Sequence, residues 1–142
     1  MEKVPAWVLT AVVLAGILWA TLAPDPFGHR EVEPPFPNAD KVVHAVMFGV
    51  LTFTALVDWA RGRSFRSVKW YECLLMALVA TLIGVVIEYA QRVMDLGRSF
   101  DYMDMAADAA GAFAVAGMWI AAEHVGFNRK KESPWQRMTH QR

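Results

Sequence analysis

The sequence predicts an all-α integral membrane protein with four transmembrane helices. Hydrophobic residues make up 56% of the 142 residues, which is more than an ordinary soluble domain carries. They are concentrated in four stretches, each close to the roughly 20 residues that a helix needs to cross a bilayer. Proline-rich or charged segments separate these stretches. We therefore expect one membrane domain over residues 1–128, followed by a basic cytoplasmic tail over residues 129–142.

The first helix is predicted over residues 6–23, with Trp7 and Trp19 near its ends, where indole rings favour the membrane interface. This stretch has the position of a signal peptide, but it is long for one, and Pro24 would directly follow the cleavage site. We therefore expect the helix to be retained. The five prolines within residues 24–39 do not fit a helix interior, so this segment is predicted to be an exposed loop.

The other three helices are predicted over residues 40–59, 70–94 and 101–124. The connection over residues 60–69 is basic and contains no acid, and Gly97 marks the turn before the fourth helix. The two termini and this connection lie on one side of the predicted membrane domain and together contain ten lysines and arginines. The first and third connections lie on the other side and contain four. Because positively charged loops stay in the cytoplasm, both termini are predicted to be cytoplasmic.

Polar and ionisable residues collect at the opposite, extracytoplasmic end of the predicted bundle. A charged side chain in the bilayer costs about 2.5 kcal/mol or more on insertion scales, so such a cluster is a functional-site hypothesis. The residues assigned to this site are Asp40, Lys41, His44, Glu88, Gln91, Arg98, Asp101, Asp104 and Asp108. The single cysteine, Cys73, lies toward the other end in an apolar stretch, where a buried side chain is expected.

In the second helix, Asp40 and His44 are four residues apart and therefore share one helix face. Free histidine titrates at about pH 6.5, which suits His44 to act as a general base. Lys41 is suited to hold an anionic group. The alternative is structural, with Asp40 as a helix N-cap, His44 as a hydrogen-bonded packing residue and Lys41 extended to the interface.

Glu88 follows an apolar run and lies roughly one to two turns below the outer surface. A carboxylate at that depth needs a partner or a proton, so Glu88 is a candidate general base, metal ligand or substrate anchor. Gln91, one turn further along the helix, is assigned to substrate binding. The structural alternative is an ion pair between Glu88 and Arg92 within the helix.

Asp101, Asp104 and Asp108 form one acidic stripe on the fourth helix because three and four residues separate them. The first two can cap the helix and complement its dipole. Asp108 lies too deep for that role and needs a partner, a cation or a proton. Arg98, on the outer turn, suits recognition of phosphate or carboxylate, or else pairs with these acids.

The acids around His44 also permit a divalent metal site. Oxygen ligands suit magnesium, calcium or manganese, and the addition of a histidine suits zinc. No diagnostic ligand spacing selects one of these ions, so the metal and any other cofactor stay open.

Three polar blocks resemble those of the VanZ-like family of small bacterial membrane proteins. The blocks are Asp40-Lys41-x-x-His44-x-x-x-Phe48, Glu88-x-x-Gln91 and Gly97-Arg98-Ser99-Phe100-Asp101-x-x-Asp104, with Gly111 after them. They agree in order and spacing over about half of the chain, although Asp108 stands where the family often has asparagine. The resemblance implies a role in the cell envelope, including resistance to the glycopeptide teicoplanin, but no defined reaction, cofactor or substrate.

The combined prediction is a polar pocket at the outer face of the bacterial cytoplasmic membrane. It binds or modifies an envelope component such as a lipid-linked glycan or peptidoglycan precursor. In an enzymatic version His44 or Glu88 is the general base, Asp104 orients His44 or a metal, and the other cluster residues bind substrate. Nucleic acid is not an expected partner, because the formal net charge is zero.

Three other functions compete with this prediction. A non-catalytic accessory subunit of an envelope transporter or polymerase would use the same pocket without turnover. A structural polar network would only hold the helices together. A proton-coupled carrier would use Glu88 and Asp108 as a relay, but Glu72 is the only acid that we expect in the cytoplasmic half, and such a carrier would need to form a homo-oligomer.

Overall fold

The computed structural model describes residues 5–23, 37–63, 67–94 and 101–131, with side chains up to residue 126. The described chain is all-α, and its helices are α1 (Val8–Leu22), α2 (Ala39–Gly62), α3 (Trp70–Val93) and α4 (Tyr102–Lys131). α3 matches its predicted bounds within one residue, and α2 is extended by one residue at its start and three at its end. α4 continues past the predicted end at residue 124, because the sequence has no proline before Pro134 to stop it.

Three of the four helices, α2, α3 and α4, are long and apolar enough to cross a membrane. α1 is shorter than predicted, with 15 residues instead of the 18 in residues 6–23. Its rise is about 22 Å, against a hydrocarbon core about 30 Å thick. The late start has a local cause, because Trp7 adopts a left-handed backbone conformation with φ of 71° and cannot belong to the helix.

The bundle carries large apolar side chains on its outside and small ones at its centre. Val12, Val46 and Val86 are each more than half exposed. The alanines Ala77, Ala112 and Ala116 are by contrast fully buried, together with Phe48, Leu56 and Cys73, whose burial was expected. Small residues at the interfaces and bulky apolar ones outside are the pattern of helices packed in lipid.

α2 and α4 approach each other closely at Gly111. A Cβ atom placed on this glycine would overlap the backbone of Ala45, and one placed on Gly49 would lie 3.4 Å from the Gly111 carbonyl oxygen. The two backbones therefore pack against each other where α4 has no side chain. This contact holds the first turns of α2 and α4 side by side, so that their polar residues face each other.

α1 is attached to α2 through a buried acid, Asp58. The backbone N–H and the hydroxyl of Thr10 both donate to Asp58 Oδ2 at 2.9 Å, and Arg61 Nη1 lies 3.1 Å from Oδ1. Because the first turn of a helix has unsatisfied N–H groups, Asp58 caps α1 from another helix. The prediction that Glu72 is the only acid in this half is therefore wrong, since Asp58 is 1% exposed.

Replacing Asp58 with alanine is expected to destabilise the protein by about 1–2 kcal/mol, the usual cost of losing a helix N-cap. Asp58→Asn keeps an acceptor oxygen for Thr10 and should lose less. Thermal unfolding in detergent micelles measures both variants. Equal stability of Asp58→Ala and wild type would show that the cap does not contribute.

Two further acids satisfy backbone groups at the same end of the bundle. Glu72 accepts a hydrogen bond from the Lys69 backbone N–H at 2.8 Å, closing the first turn of α3, and pairs with Arg63. Glu123 of α4 accepts from the Ser67 hydroxyl at 2.9 Å and from the Val68 N–H at 3.2 Å. The acids at this end thus have helix-terminal partners.

Candidate functional site

The outer layer of the site is built around Lys41 in the first turn of α2. Its ammonium group donates to Asp40 at 3.0 Å, to Asp101 at 2.9 Å and to Asp104 at 3.1 Å. Two of these acids belong to the start of α4, so the lysine links the two helices. The hydrogen bond from Lys41 lowers the pKa of the Asp101 carboxyl below its ordinary value, which keeps that partner ionised.

The inner layer lies one turn deeper and pairs His44 with Asp108. The two side chains, 8% and 1% exposed, meet with 2.9 Å between His44 Nδ1 and Asp108 Oδ1. The other ring nitrogen, Nε2, lies 4.0 Å from Asp104 Oδ2, so the imidazole stands between two carboxylates of α4. Asp108 thus has the partner that its depth required.

Room for Asp108 comes from Gly84 in the middle of α3. A Cβ atom placed on Gly84 would overlap the Asp108 carboxylate oxygen Oδ2. Asp108 therefore lies between α3 and His44, and any other residue at position 84 would displace it. Sequence reasoning missed Gly84, although an isolated glycine in a helical pattern is a signal for such a close approach.

Glu88 supplies the third wall of the inner layer from α3. It is 2% exposed, and its polar surroundings are the backbone of Asp101 and the side chains of His44, Asp104 and Asp108. Within the described ranges no side chain donates a hydrogen bond to it, and Arg92 lies on the exposed side of the helix. One ligand atom from each of His44, Glu88 and Asp104 can be chosen so that all three lie within 4.8 Å of one another.

Two predicted site residues stand apart from this arrangement. Gln91 is buried, and its amide nitrogen donates to the Thr21 backbone oxygen of α1 at 2.8 Å. This bond joins α3 to α1, and the assignment of Gln91 to substrate binding stays a prediction. Arg98 lies outside the described residues. The structure brings the other seven predicted residues together. They belong to α2, to α3 and to α4, except for Asp101, which directly precedes α4.

The assembled cluster has more acids than bases. Among its described members, five carboxylates face one lysine and one histidine; the acids are Asp40, Glu88, Asp101, Asp104 and Asp108. Such a cluster can accept hydrogen bonds from hydroxyl and amino groups, and it attracts cations. The ammonium of Lys41 lies among the outer carboxylates, and His44 is the basic side chain of the inner layer.

An open apolar groove of about 900 Å³ lies beside this cluster, between α2 and α4. It begins at Asn38 and Lys41 and extends along both helices to Trp119 and Ala122. Lys41 is the one member of the cluster that lines it. The described site is thus a polar cluster, buried in its inner layer, that adjoins an apolar groove, and the polar pocket at the outer face stays a prediction.

Comparison with known protein families agrees with the family resemblance of the three polar blocks. A family model described as VanZ/LLP1 matches residues 6–123, which include every residue of the site. Neither the curated proteins nor the solved structures contain a significant match. Since the family match covers well over half of the sequence, the chain belongs to the VanZ/LLP1 family.

Proposed function

We propose that this VanZ/LLP1 protein binds a lipid-linked component of the bacterial cell envelope, such as a lipid-linked glycan or peptidoglycan precursor. The observation that carries the proposal is the junction at Lys41, where the apolar groove meets the acid-rich cluster. A lipid-linked sugar has the same division into a long apolar chain and a polar head. The protein is then a multi-pass protein of the bacterial cytoplasmic membrane.

The groove has the dimensions of a site for one apolar chain. Its volume of about 900 Å³ lies within the range of ordinary ligand sites, and its walls are almost entirely apolar. From Lys41 to Phe53 the wall formed by α2 rises about 18 Å. The valines along this wall, Val42, Val46 and Val50, are about half exposed, so a chain enters sideways from the bilayer.

The cluster has the chemistry to receive the polar head. Carboxylates accept hydrogen bonds from sugar hydroxyl groups, and these bonds are strong because the acceptor is charged. Lys41 lies at the groove's end with its side chain 25% exposed, so it can reach a bound head group. His44 is the candidate proton carrier if the bound molecule is also modified, because its ring lies between the carboxylates of Asp104 and Asp108.

The membrane orientation follows from the charge distribution. With ten of the fourteen lysines and arginines on the side of the termini, both termini are placed in the cytoplasm. The cluster then opens to the extracytoplasmic leaflet, where envelope precursors are used. α1 completes four crossings in this arrangement.

Filling the groove tests the proposal. Val46→Trp places an indole in the groove, whereas Val86→Trp makes the same change on exposed α3, outside it; the two valines are 59% and 65% exposed. We expect Val46→Trp to lower labelling by a photoreactive polyprenyl-linked disaccharide about tenfold, since overpacking typically costs about 1–3 kcal/mol. Val86→Trp should label like wild type. Equal labelling of both variants, or equal competition by plain phospholipid, would contradict the proposal.

A structural polar network is the second candidate, favoured by the bridges from Lys41 and His44 to acids of α4. Both bridges join helices and would serve packing alone. Glu88 separates the two functions, because no described side chain forms an ion pair or hydrogen bond with it. Its hydrogen bond comes from the Asp101 backbone, so no bridge between described side chains depends on the charge of this acid.

A further inference from the structure

We infer that His44, Glu88 and Asp104 form a binding site for one divalent transition-metal ion, zinc or manganese, with Asp108 orienting the histidine. Each ligand comes from a different helix, namely α2, α3 and α4. The inference goes beyond the proposed lipid binding, because the ion can be tested on protein without any lipid-linked ligand.

The three ligand atoms already have nearly the spacing of a shared ion. They lie within 4.8 Å of one another, whereas two ligands at about 2.1 Å from one ion are at most about 4.2 Å apart. Small side-chain rotations close the difference. Asp104 is free to take part, because its Oδ1 accepts from Lys41 while its Oδ2 faces His44 Nε2.

The histidine is held as metal-binding histidines are held. A ligating imidazole usually donates its other ring N–H to a carboxylate, which fixes the ring and its tautomer. His44 Nδ1 makes this contact with Asp108 at 2.9 Å, and Nε2 is the ring nitrogen that faces Asp104. The Asp108 carboxylate is fixed in turn by burial against Gly84.

Glu88 is the most deeply buried of the three ligands, with 2% of its surface exposed. A buried carboxylate is costly unless it is paired, hydrogen-bonded or bound to a metal. Glu88 accepts a hydrogen bond from the Asp101 backbone, and across the described part of the chain no side chain donates to it. It also lies next to two further acids, Asp104 and Asp108, whose charge a cation would offset.

The mixed ligand set selects the kind of ion. Imidazole favours zinc and other transition metals, carboxylates suit manganese, and magnesium prefers oxygen ligands alone. Three protein ligands leave at least one coordination position open, as in catalytic metal sites. An ion here would also offset the excess of acids for any anionic group at the end of the groove.

The test is metal binding by the purified full-length protein in detergent. The protein is purified through an affinity tag that contains no histidine, and a chelator first removes any bound metal. We expect one equivalent of Zn²⁺ or Mn²⁺ per chain by calorimetry and elemental analysis. X-ray absorption for zinc, or electron spin-echo spectroscopy for manganese, should show one imidazole nitrogen. Absence of stoichiometric binding by wild type, or a bound ion without an imidazole nitrogen, would overturn the inference whatever the variants do.

Matched variants locate the site. Glu88→Gln and His44→Gln should abolish binding, whereas Glu123→Gln and His124→Gln, the same changes on α4 outside the site, should retain it. Asp108→Asn should weaken binding about 10- to 100-fold, the usual effect of losing a carboxylate behind a metal ligand. Binding retained by Glu88→Gln, or lost equally from Glu123→Gln, would overturn the assignment. Because lipid is absent, failure here leaves the lipid proposal standing.

Discussion

Replacing Gly111 with alanine is expected to force α2 and α4 apart and to destabilise the protein by about 3 kcal/mol, the upper part of the usual range for overpacking. The added Cβ would overlap backbone atoms of Ala45, and a helix backbone cannot rotate away as a side chain does. Separation would also stretch the bridges from Lys41 and His44 to α4. We therefore expect a large loss of thermal stability in micelles.

Gly117→Ala is the matched control on the same helix. A Cβ atom at Gly117 meets nothing within 4 Å, so the added methyl group has open space. Alanine is also the better helix former by about 1 kcal/mol, and this variant should be as stable as wild type or more so. Similar losses from both substitutions would mean that the contact at Gly111 does not hold the helices together.

The second large effect is expected from Glu88→Gln, which should abolish function without loss of folded protein. The carboxylate is buried, and its hydrogen bond from the Asp101 backbone needs only one acceptor oxygen, which glutamine keeps. Glutamine has almost the same shape. Membrane abundance and thermal stability should therefore equal or exceed those of wild type, while the proposed binding of a lipid-linked precursor falls to the level of cells lacking the protein.

Glu123→Gln again serves as the control, because the amide oxygen can accept from the Val68 N–H while the amide nitrogen donates to the Ser67 hydroxyl. It should keep both abundance and function. Loss of Glu88→Gln from the membrane would instead support the structural network. Full activity of well-folded Glu88→Gln would remove the acid from the functional site.

Much of the site could be predicted from the sequence because its residues interrupt apolar helices. Asp108 was conspicuous for this reason, and its depth correctly demanded a partner. The spacing of Asp40, His44 and the aspartates of α4 placed them on helix faces, and helical periodicity is a local property. The identity of each partner is not local, so the pairing of His44 with Asp108 required the packed structure.

Two features that were not predicted from the sequence share a physical cause. Asp58 and Gly84 act across helix interfaces, one by capping α1 and the other by leaving space for Asp108. Nothing within either helix's own sequence indicates which neighbour it will meet. The length of α1 was missed for a different reason, since its apolar run includes residues before Val8 that do not adopt helical dihedrals.

The shortness of α1 has a consequence for the lipids around the protein. In the proposed arrangement with four crossings, a helix of about 22 Å beside three longer ones would create a hydrophobic mismatch of about 8 Å with an average bilayer, at a cost of a fraction of a kcal/mol per Å. Acyl chains next to α1 would then be compressed, and the membrane would be locally thinned on that side. Thinner membranes would therefore suit this protein better, and lipid thickness becomes a variable that sets its stability.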